Sequence, residues 1–481
     1  MPAPSFASGQ ARYSRAAFRR YLNDLSAQIS PSSVEGFIGE DAMKLLHSDR
    51  ESFSQAEAWM IFRAAYEKRL FDIVERNGAP PVSFDIQAPF NIQDSPIGFD
   101  QDVPATPLIN RKTKIGGFPV DFPLGLPASV LASNAKWIEF YARRGFDILT
   151  YKTVRSRPRA AHPWPNWVFL IDPAEMATSS KYSFHGDPSY FPEDLARVSM
   201  ANSFGIPSNE PLWWQDDVRL ARKCVREGHQ VLIVSVVASE NSSEDALIED
   251  FVRTALLAKA AGADIIEANY SCPNTLTDLA KEVYKSERIS ARISSAMKEA
   301  LDGTPLFVKI GYLSKTELHR FVESNAPFID GVVAINTIAA EVLDKEGKPI
   351  FPLDGRRLAG ISGWAIRARA QEVARNLVDL RRYLGKNFTI LGLGGALTKQ
   401  DCFDYLNIGV DGVETCTGAF LNPFIGLETR FDKEAFANRP SQLRFGANVV
   451  GKILEEVFFH PRRNSTITFD TENRAITIKR T

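Results

Sequence analysis

Between residues 113 and 432, short β-branched or apolar runs alternate with amphipathic stretches, and few folds accommodate eight such runs in succession. The runs fall at 122–127, 147–152, 231–238, 264–269, 305–310, 331–336, 388–393 and 411–416. Most are separated by segments with helical spacing of apolar residues, such as 245–261, 365–384 and 399–408. Strands that alternate with helices in this way build α/β folds around a parallel sheet, and eight of them suggest a closed (β/α)8 TIM barrel. A doubly wound open sheet gives similar alternation, so periodicity by itself leaves both architectures standing.

The chain has 481 residues, too many for one ordinary compact domain unless that domain is a barrel carrying extensions. Residues 1–85 read as a helical N-terminal extension. Phe18, Tyr21, Leu22 and Leu25 share one helical face. A second helix starts at Ser54, with Glu57 at capping-box spacing, and runs past Trp59, Phe62, Tyr66, Leu70 and Ile73 to the breaker at 77–81. Residues 86–112, rich in Pro, Asp, Asn and Gln, read as a connector. The barrel then occupies 113–435, and 436–481 form a C-terminal helix and β-hairpin extension. Gly116-Gly117 marks a hairpin before the first barrel strand, placed to plug the barrel bottom. After the second strand, 153–230 form a long connection with a helix only near its end, at 212–227. A loop of that length is expected to cover an active site. Its basic run at 155–159 reads as a solvated face that can steer an acidic substrate.

A formal net charge of −1 gives no electrostatic footprint for nucleic acid or an anionic membrane. Four scattered cysteines, Cys224, Cys272, Cys402 and Cys416, lack zinc, iron–sulfur or disulfide-framework spacing. The six histidines show no metal spacing either, so no metal is expected. No apolar stretch is long enough for a membrane-spanning helix. The N-terminus lacks the layout of a secretory signal, and a cytoplasmic location is expected.

Catalytic groups of a barrel sit where strands end and βα loops begin. The first strand ends at Ala128-Ser129, small residues that let a flat ligand approach the backbone. The second ends at Lys152-Thr153 and the fourth at Asn269-Tyr270-Ser271-Cys272-Pro273-Asn274. Lys309 ends the fifth, Asn336-Thr337 the sixth, Gly394-Gly395 the seventh and Cys416-Thr417-Gly418 the eighth. The glycines after strands seven and eight suit a phosphate site made of backbone N–H groups. An ammonium at Lys309 is costly without an anionic partner. Asn269, Asn274 and Asn336 offer the donor–acceptor pairs that a planar heterocycle needs. Cys272 is the one cysteine at a strand end flanked by polar loop residues, where a thiol can act as acid or base.

The motif 269–274 resembles that of the dihydroorotate dehydrogenases, and the loop at 202–207 (Asn-Ser-Phe-Gly-Ile-Pro) is similar to that family's second substrate segment. Ala128-Ser129, Lys152-Thr153, Val308-Lys309, Ile335-Asn336-Thr337, the 360–363 segment ending in Gly363, Gly394-Gly395 and Thr417-Gly418 follow in the family's order. The resemblance implies FMN as cofactor and a dihydropyrimidine carboxylate, dihydroorotate, as small-molecule substrate. Cys272 would remove the C5 proton while hydride leaves C6 for the flavin. Asn202, Asn269, Asn274 and Asn336 would hold the substrate. Ala128, Ser129, Lys152, Thr153, Lys309, Thr337, Gly363, Gly394, Gly395, Thr417 and Gly418 would bind the cofactor. A cysteine base is the mark of the family's soluble branch, and a homodimer is compatible with the resemblance.

Two departures stand out. Asn166-Trp167 occupies the place of an Arg–aromatic pair, and Leu276-Thr277-Asp278-Leu279 replaces a Pro-Gly turn. They leave two alternatives: a pyrimidine-base reductase-like homologue that needs a redox partner, and a flavin-binding barrel without turnover.

Overall fold

The computed structural model describes residues 113–162, 167–176, 183–187, 197–239, 242–271, 283–351, 358–421 and 425–430, with short strands at 12–14, 52–54, 109–110, 465–470 and 475–480. The chain divides into two compact units, one of residues 82–88 and 111–435, the other of 1–81, 89–110 and 436–481.

In the first of these units eight parallel strands close into a barrel. They are β1 (Leu124–Leu126), β2 (Ile148–Val154), β3 (Val231–Val236), β4 (Ile265–Asn269), β5 (Leu306–Ile310), β6 (Gly331–Ala334), β7 (Thr389–Leu393) and β8 (Gly412–Glu414). All eight coincide with the runs read from sequence, and closure of β8 on β1 excludes the open sheet. The strands read as apolar throughout because both faces are covered: every residue of β3, β4 and β5 is buried. Ile148, Val231, Ile233, Ile265, Phe307, Val333 and Leu391 fill the lower barrel. The hairpin Lys114–Ile115/Phe118–Pro119 plugs it, with Ile115 seated in that same cluster. Gly116 adopts φ 56° there, and a Cβ would stand 2.7 Å from Ile265 Cδ1.

Helix starts follow their capping residues. Ser243 and Ser286 accept from the backbone of helices Glu244–Ala260 and Glu287–Leu301. Full capping boxes, Ser314/Glu317 and Thr398/Asp401, begin Lys315–Asn325 and Lys399–Ile408.

A repeated device sets the strand register. An aspartate stands just ahead of each even-numbered strand and accepts a backbone N–H at or near the start of the preceding strand. Asp147 accepts from Phe122, Asp264 from Leu232, Asp330 from Leu306 and Asp411 from Ile390, all at 2.7–2.8 Å. Each carboxylate also meets cations from outside the sheet. Arg222 pairs with Asp264, Lys298 with Asp330 and Arg381 with Asp411, while Arg226 and Arg430 meet Asp147. The four aspartates thus pin sheet to surround at one end of the barrel, leaving the other end for chemistry.

The long connection after β2 departs from expectation. It holds three strands, Trp167–Ile171, Ser183–Gly186 and Ser199–Asn202, before the helix Pro211–Cys224. These join Ile338–Leu343 and Leu358–Gly363, which follow β6, in a closed five-stranded sheet. Period-two patterning was present (Ser199 and Ala201 buried, Met200 and Asn202 less so), but strands of four or five residues amid polar loops are weak signals. The basic run at 155–159 is not wholly the solvated face expected of it. Arg157 is exposed, but Arg155 is buried at 3%, and its guanidinium donates to the carbonyls of Ile206 and Ala238.

In the other unit, Ser465–Asp470 and Ala475–Arg480 pair as an antiparallel hairpin, and Ile109–Asn110 adds a parallel strand to it. Arg12–Ser14 pairs with Ser52–Ser54. The helices expected within 1–85 and 436–464, and most of the 86–112 connector, lie outside the described residues.

Candidate active site

One cavity opens where the barrel strands end, walled on its far side by the five-stranded sheet. Its volume of about 180 Å³ is far beyond the ~10–15 Å³ that a single water needs, so it is more than a packing void and is the candidate ligand site. Ala128, Ser129, Lys152, Thr153, Asn202, Asn269, Lys309, Asn336, Thr337, Gly363, Gly394, Gly395 and Thr417 all line it. Gly418 does not; it packs against Ala396 and Thr415, so its contribution is to close packing beneath the wall. Cys272 and Asn274 lie outside the described residues.

The polar wall is an amide array held by its own bonds. Asn269 Nδ2 donates to Thr153 Oγ1 at 3.3 Å, and its Oδ1 accepts from the Ser271 N–H at 3.2 Å. Asn336 Nδ2 donates to the Ser271 carbonyl at 2.7 Å, while its Oδ1 accepts from the Thr337 N–H. Asn202 Nδ2 donates to Gly360 O at 3.1 Å. These contacts fix the amide planes before any ligand arrives, which is the preorganisation that heterocycle recognition requires.

Two charged groups of the lining are buried. Lys309 is 3% exposed, at the end of β5, and has no ion pair among the described residues. Glu414 is fully buried and accepts from Thr150 Oγ1 at 2.7 Å. Burial first, then neighbouring Glu267, pushes the Glu414 carboxyl up to about 7, against the pull of Lys309 and the Thr150 hydrogen bond. Burial likewise raises the Cys416 thiol. Neither glutamate entered the sequence reading, although a signal existed: Glu267 is two residues before Asn269 and so faces the same side of β4.

Glycines bring backbone segments together on one side. Gly394 and Gly395 have φ of 125° and 71°, and a Cβ on Gly395 would lie 2.7 Å from Arg367 Cα. At Gly363 (φ 86°) a Cβ would lie 2.3 Å from Val198 O. Only glycine permits so close an approach at these angles. Trp167, Met200, Ile206, Leu393 and Phe420 supply apolar surface to the same cavity. Trp167 and Phe420 meet edge to face at 5.6 Å.

The loop at 203–208 is the most constrained part of the wall. Ile206 holds φ 49°, a conformation that β-branched residues rarely adopt. Segment 159–162 runs alongside it, through Arg159–Ser208 and His162–Phe204 backbone bonds. The His162 ring lies under Gly205, where a Cβ would meet it at 2.4 Å. Arg155 completes the clamp through Ile206 O, and its own N–H donates to Ser208 Oγ.

A flat amphipathic heterocycle with an anionic tail fits this lining of amides, a buried ammonium, aromatic surface and positive-φ glycines. Among the described residues no group of three or more His, Cys, Asp or Glu could hold a metal, and no helix is long and apolar enough to cross a membrane.

Comparison with known proteins agrees with the geometry. The family model described as dihydroorotate dehydrogenase matches residues 112–428. A dihydroorotate dehydrogenase of Dictyostelium discoideum is 32% identical over 315 residues, covering 64% of this chain and 84% of its own. The catalytic subunit of dihydroorotate dehydrogenase B (NAD(+)) of Methanopyrus kandleri is 26% identical, covering 64% and 85%. The crystal structure of a ligand-free DHODH from Eimeria tenella superposes with a TM-score of 0.54 at 17% identity, over 70% of this chain and 90% of that one, a likeness of fold. Barrel, mouth residues and family match coincide over the same stretch: the chain belongs to the dihydroorotate dehydrogenase family of oxidoreductases.

Proposed function

We propose that this protein oxidises dihydroorotate, or a closely related dihydropyrimidine carboxylate, with FMN held in the barrel mouth and Cys272 as general base. The observation that carries the reading is the donor set of one cavity: the amides of Asn202, Asn269 and Asn336 stand with the ammonium groups of Lys152 and Lys309 around it, the pattern that the polar edge of a planar heterocycle requires. When bound, FMN supplies the hydride acceptor. Lys152 and Lys309 hold the polar edge of its ring system, and Gly363, Gly394, Gly395 and Thr417 form the cradle for its phosphate. Asn202, Asn269, Asn274 and Asn336 fix the pyrimidine ring and its carboxylate. Cys272 Sγ takes the proton from C5.

The test is an anaerobic titration of the purified protein with dihydroorotate, following the absorbance of oxidised flavin. The protein should be yellow and should bleach. Cys272→Ala should stay yellow and bleach slower by a factor of about 10²–10⁴, the usual contribution of a positioned base. Flavin that stays oxidised with every dihydropyrimidine discards the substrate, and a colourless protein unable to take up FMN discards the cofactor.

Arg155 supports the same site from behind. Arg155→Met removes two charge-assisted bonds to the carbonyls of Ile206 and Ala238 and frees the loop that carries Phe204. The expected outcome is a KM for dihydroorotate raised about tenfold or more, with flavin content unchanged. Loss of flavin with unchanged KM would assign the clamp to the cofactor instead.

A further inference from the structure

The layer beneath the cavity is unlike an ordinary barrel core, where bulky branched residues dominate. Glu267 of β4 lies between Ile265, in the apolar cluster, and Asn269, in the cavity wall, on the same side of the strand. Glu414 of β8 lines the cavity and pairs in register with Gly125 and Leu393. Both glutamates are fully buried. Of their four carboxyl oxygens, only Glu414 Oε1 is hydrogen-bonded among the described residues, to Thr150; the other three have no hydrogen-bond partner among them.

Few charges are near enough to compensate. β5 contributes Lys309, fully buried, β2 contributes Lys152 at the half-buried mouth, and Cys416 stands two residues past the end of β8. Lys309 acts on Glu414. β3 presents the neutral Ser235, while β1, β6 and β7 present Gly125, Val333, Leu391 and Leu393. Two ionised carboxylates against one equally buried ammonium leave a net negative charge where an unpaired charge is prohibitively costly. Two carboxyls that sense each other also cannot both ionise freely.

We infer that Glu267 and Glu414 hold one proton between them at neutral pH, so that the Glu267–Lys309–Glu414 cluster is a neutral, proton-exchanging group at the floor of the cavity. A negative charge developing above Lys309 then draws a proton to the pair, and its departure releases one. The raised Glu414 carboxyl agrees with this placement. The proton is inferred from the protein's own residues; its coupling to a flavin rests on the function proposed above.

Infrared spectroscopy of the full-length protein tests the proton without any ligand. A protonated-carboxyl C=O band, shifted in D2O, should be present at pH 7 and titrate as one group. It should vanish in Glu414→Gln or in Glu267→Gln, either variant sufficing if the other fails to fold. In Lys309→Met the band should persist to higher pH, with proton affinity raised at least about tenfold. A wild-type spectrum without the band, or a band untouched by both glutamine variants, overturns the inference. For the coupling, dithionite reduction of FMN-loaded protein in weak buffer should take up more protons in wild type than in Glu414→Gln; equal uptake overturns it. Protein that loads no FMN defeats the flavin reading, while the infrared band still decides the proton.

Discussion

Arg430→Met is expected to destabilise the barrel by about 3–5 kcal/mol, because it leaves two buried carboxylates without their most buried cation. The Arg430 side chain is 0% exposed and meets Asp147 Oδ2 at 3.1 Å and Asp121 Oδ2 at 3.4 Å. Those are ion-pair distances without hydrogen-bond alignment, so the guanidinium acts there mainly as a charge. Burial raises the Asp147 carboxyl, and Arg430 is the largest influence opposing that rise. Removing it pushes the carboxyl higher still. A carboxyl whose folded pKa exceeds its unfolded value contributes stability at low pH that is lost as pH rises through the folded pKa. The deficit of Arg430→Met should therefore be smaller near pH 5 than near pH 8, measured by urea denaturation at both. A deficit equal at the two pH values would mean that lost packing, not charge, is the cause.

Asp147 is the first of four aspartates that hold β1–β2, β3–β4, β5–β6 and β7–β8 in register. Asp264, Asp330 and Asp411 keep cations that are partly exposed, 20–35% by side chain, where water shares the work of screening. Asp147 is fully buried, and the partly exposed Arg226 reaches it only at 3.4 Å. The same pattern at four sites should thus show unequal costs, largest where the network is driest.

Those aspartates also mark where the sequence was legible and where it was not. Each stands immediately before an apolar run, at 147, 264, 330 and 411, and was visible as the polar edge of a predicted strand. That it bonds across to the preceding strand is a tertiary fact that no local pattern encodes. Barrel strands were readable because burial on both faces writes a continuous apolar run. The strands Trp167–Ile171, Ser183–Gly186 and Ser199–Asn202 were not, since each has only four or five residues, the last two alternate buried with more exposed positions, and those two find partners more than a hundred residues on, at 338–363. Mouth residues were found through their position at strand ends, where Lys309, Asn269 and Asn336 do meet. Arg155 was missed because basic residues are usually solvated, and its two carbonyl partners, Ile206 and Ala238, come from distant segments. Glu267 and Glu414 were missed for the opposite reason: each sat inside a run already accounted for as strand.

The glycine cradle should respond as sharply as the buried arginine, but in binding instead of stability. Gly395→Ala places a methyl 2.5 Å from Arg367 Cβ and 2.7 Å from its Cα, at φ 71°, so backbone must move. Gly385→Ala is the matching control: φ is 60°, yet nothing lies within 4 Å of the new Cβ. Both variants incur the backbone strain of an L-residue at positive φ, on the order of 1 kcal/mol. Only Gly395→Ala also displaces Gly394–Gly395 from the cavity wall. If that wall cradles a phosphate through backbone N–H groups, losing two charge-assisted hydrogen bonds amounts to about 3–4 kcal/mol, or a 10²–10³-fold weaker Kd for FMN. Fluorescence titration of flavin-stripped protein reads this directly. Gly385→Ala should bind FMN like wild type while melting slightly earlier. FMN affinity within threefold of wild type in Gly395→Ala, with that variant folded, would place the phosphate elsewhere and leave these glycines with a purely packing role against Arg367 and Gly363.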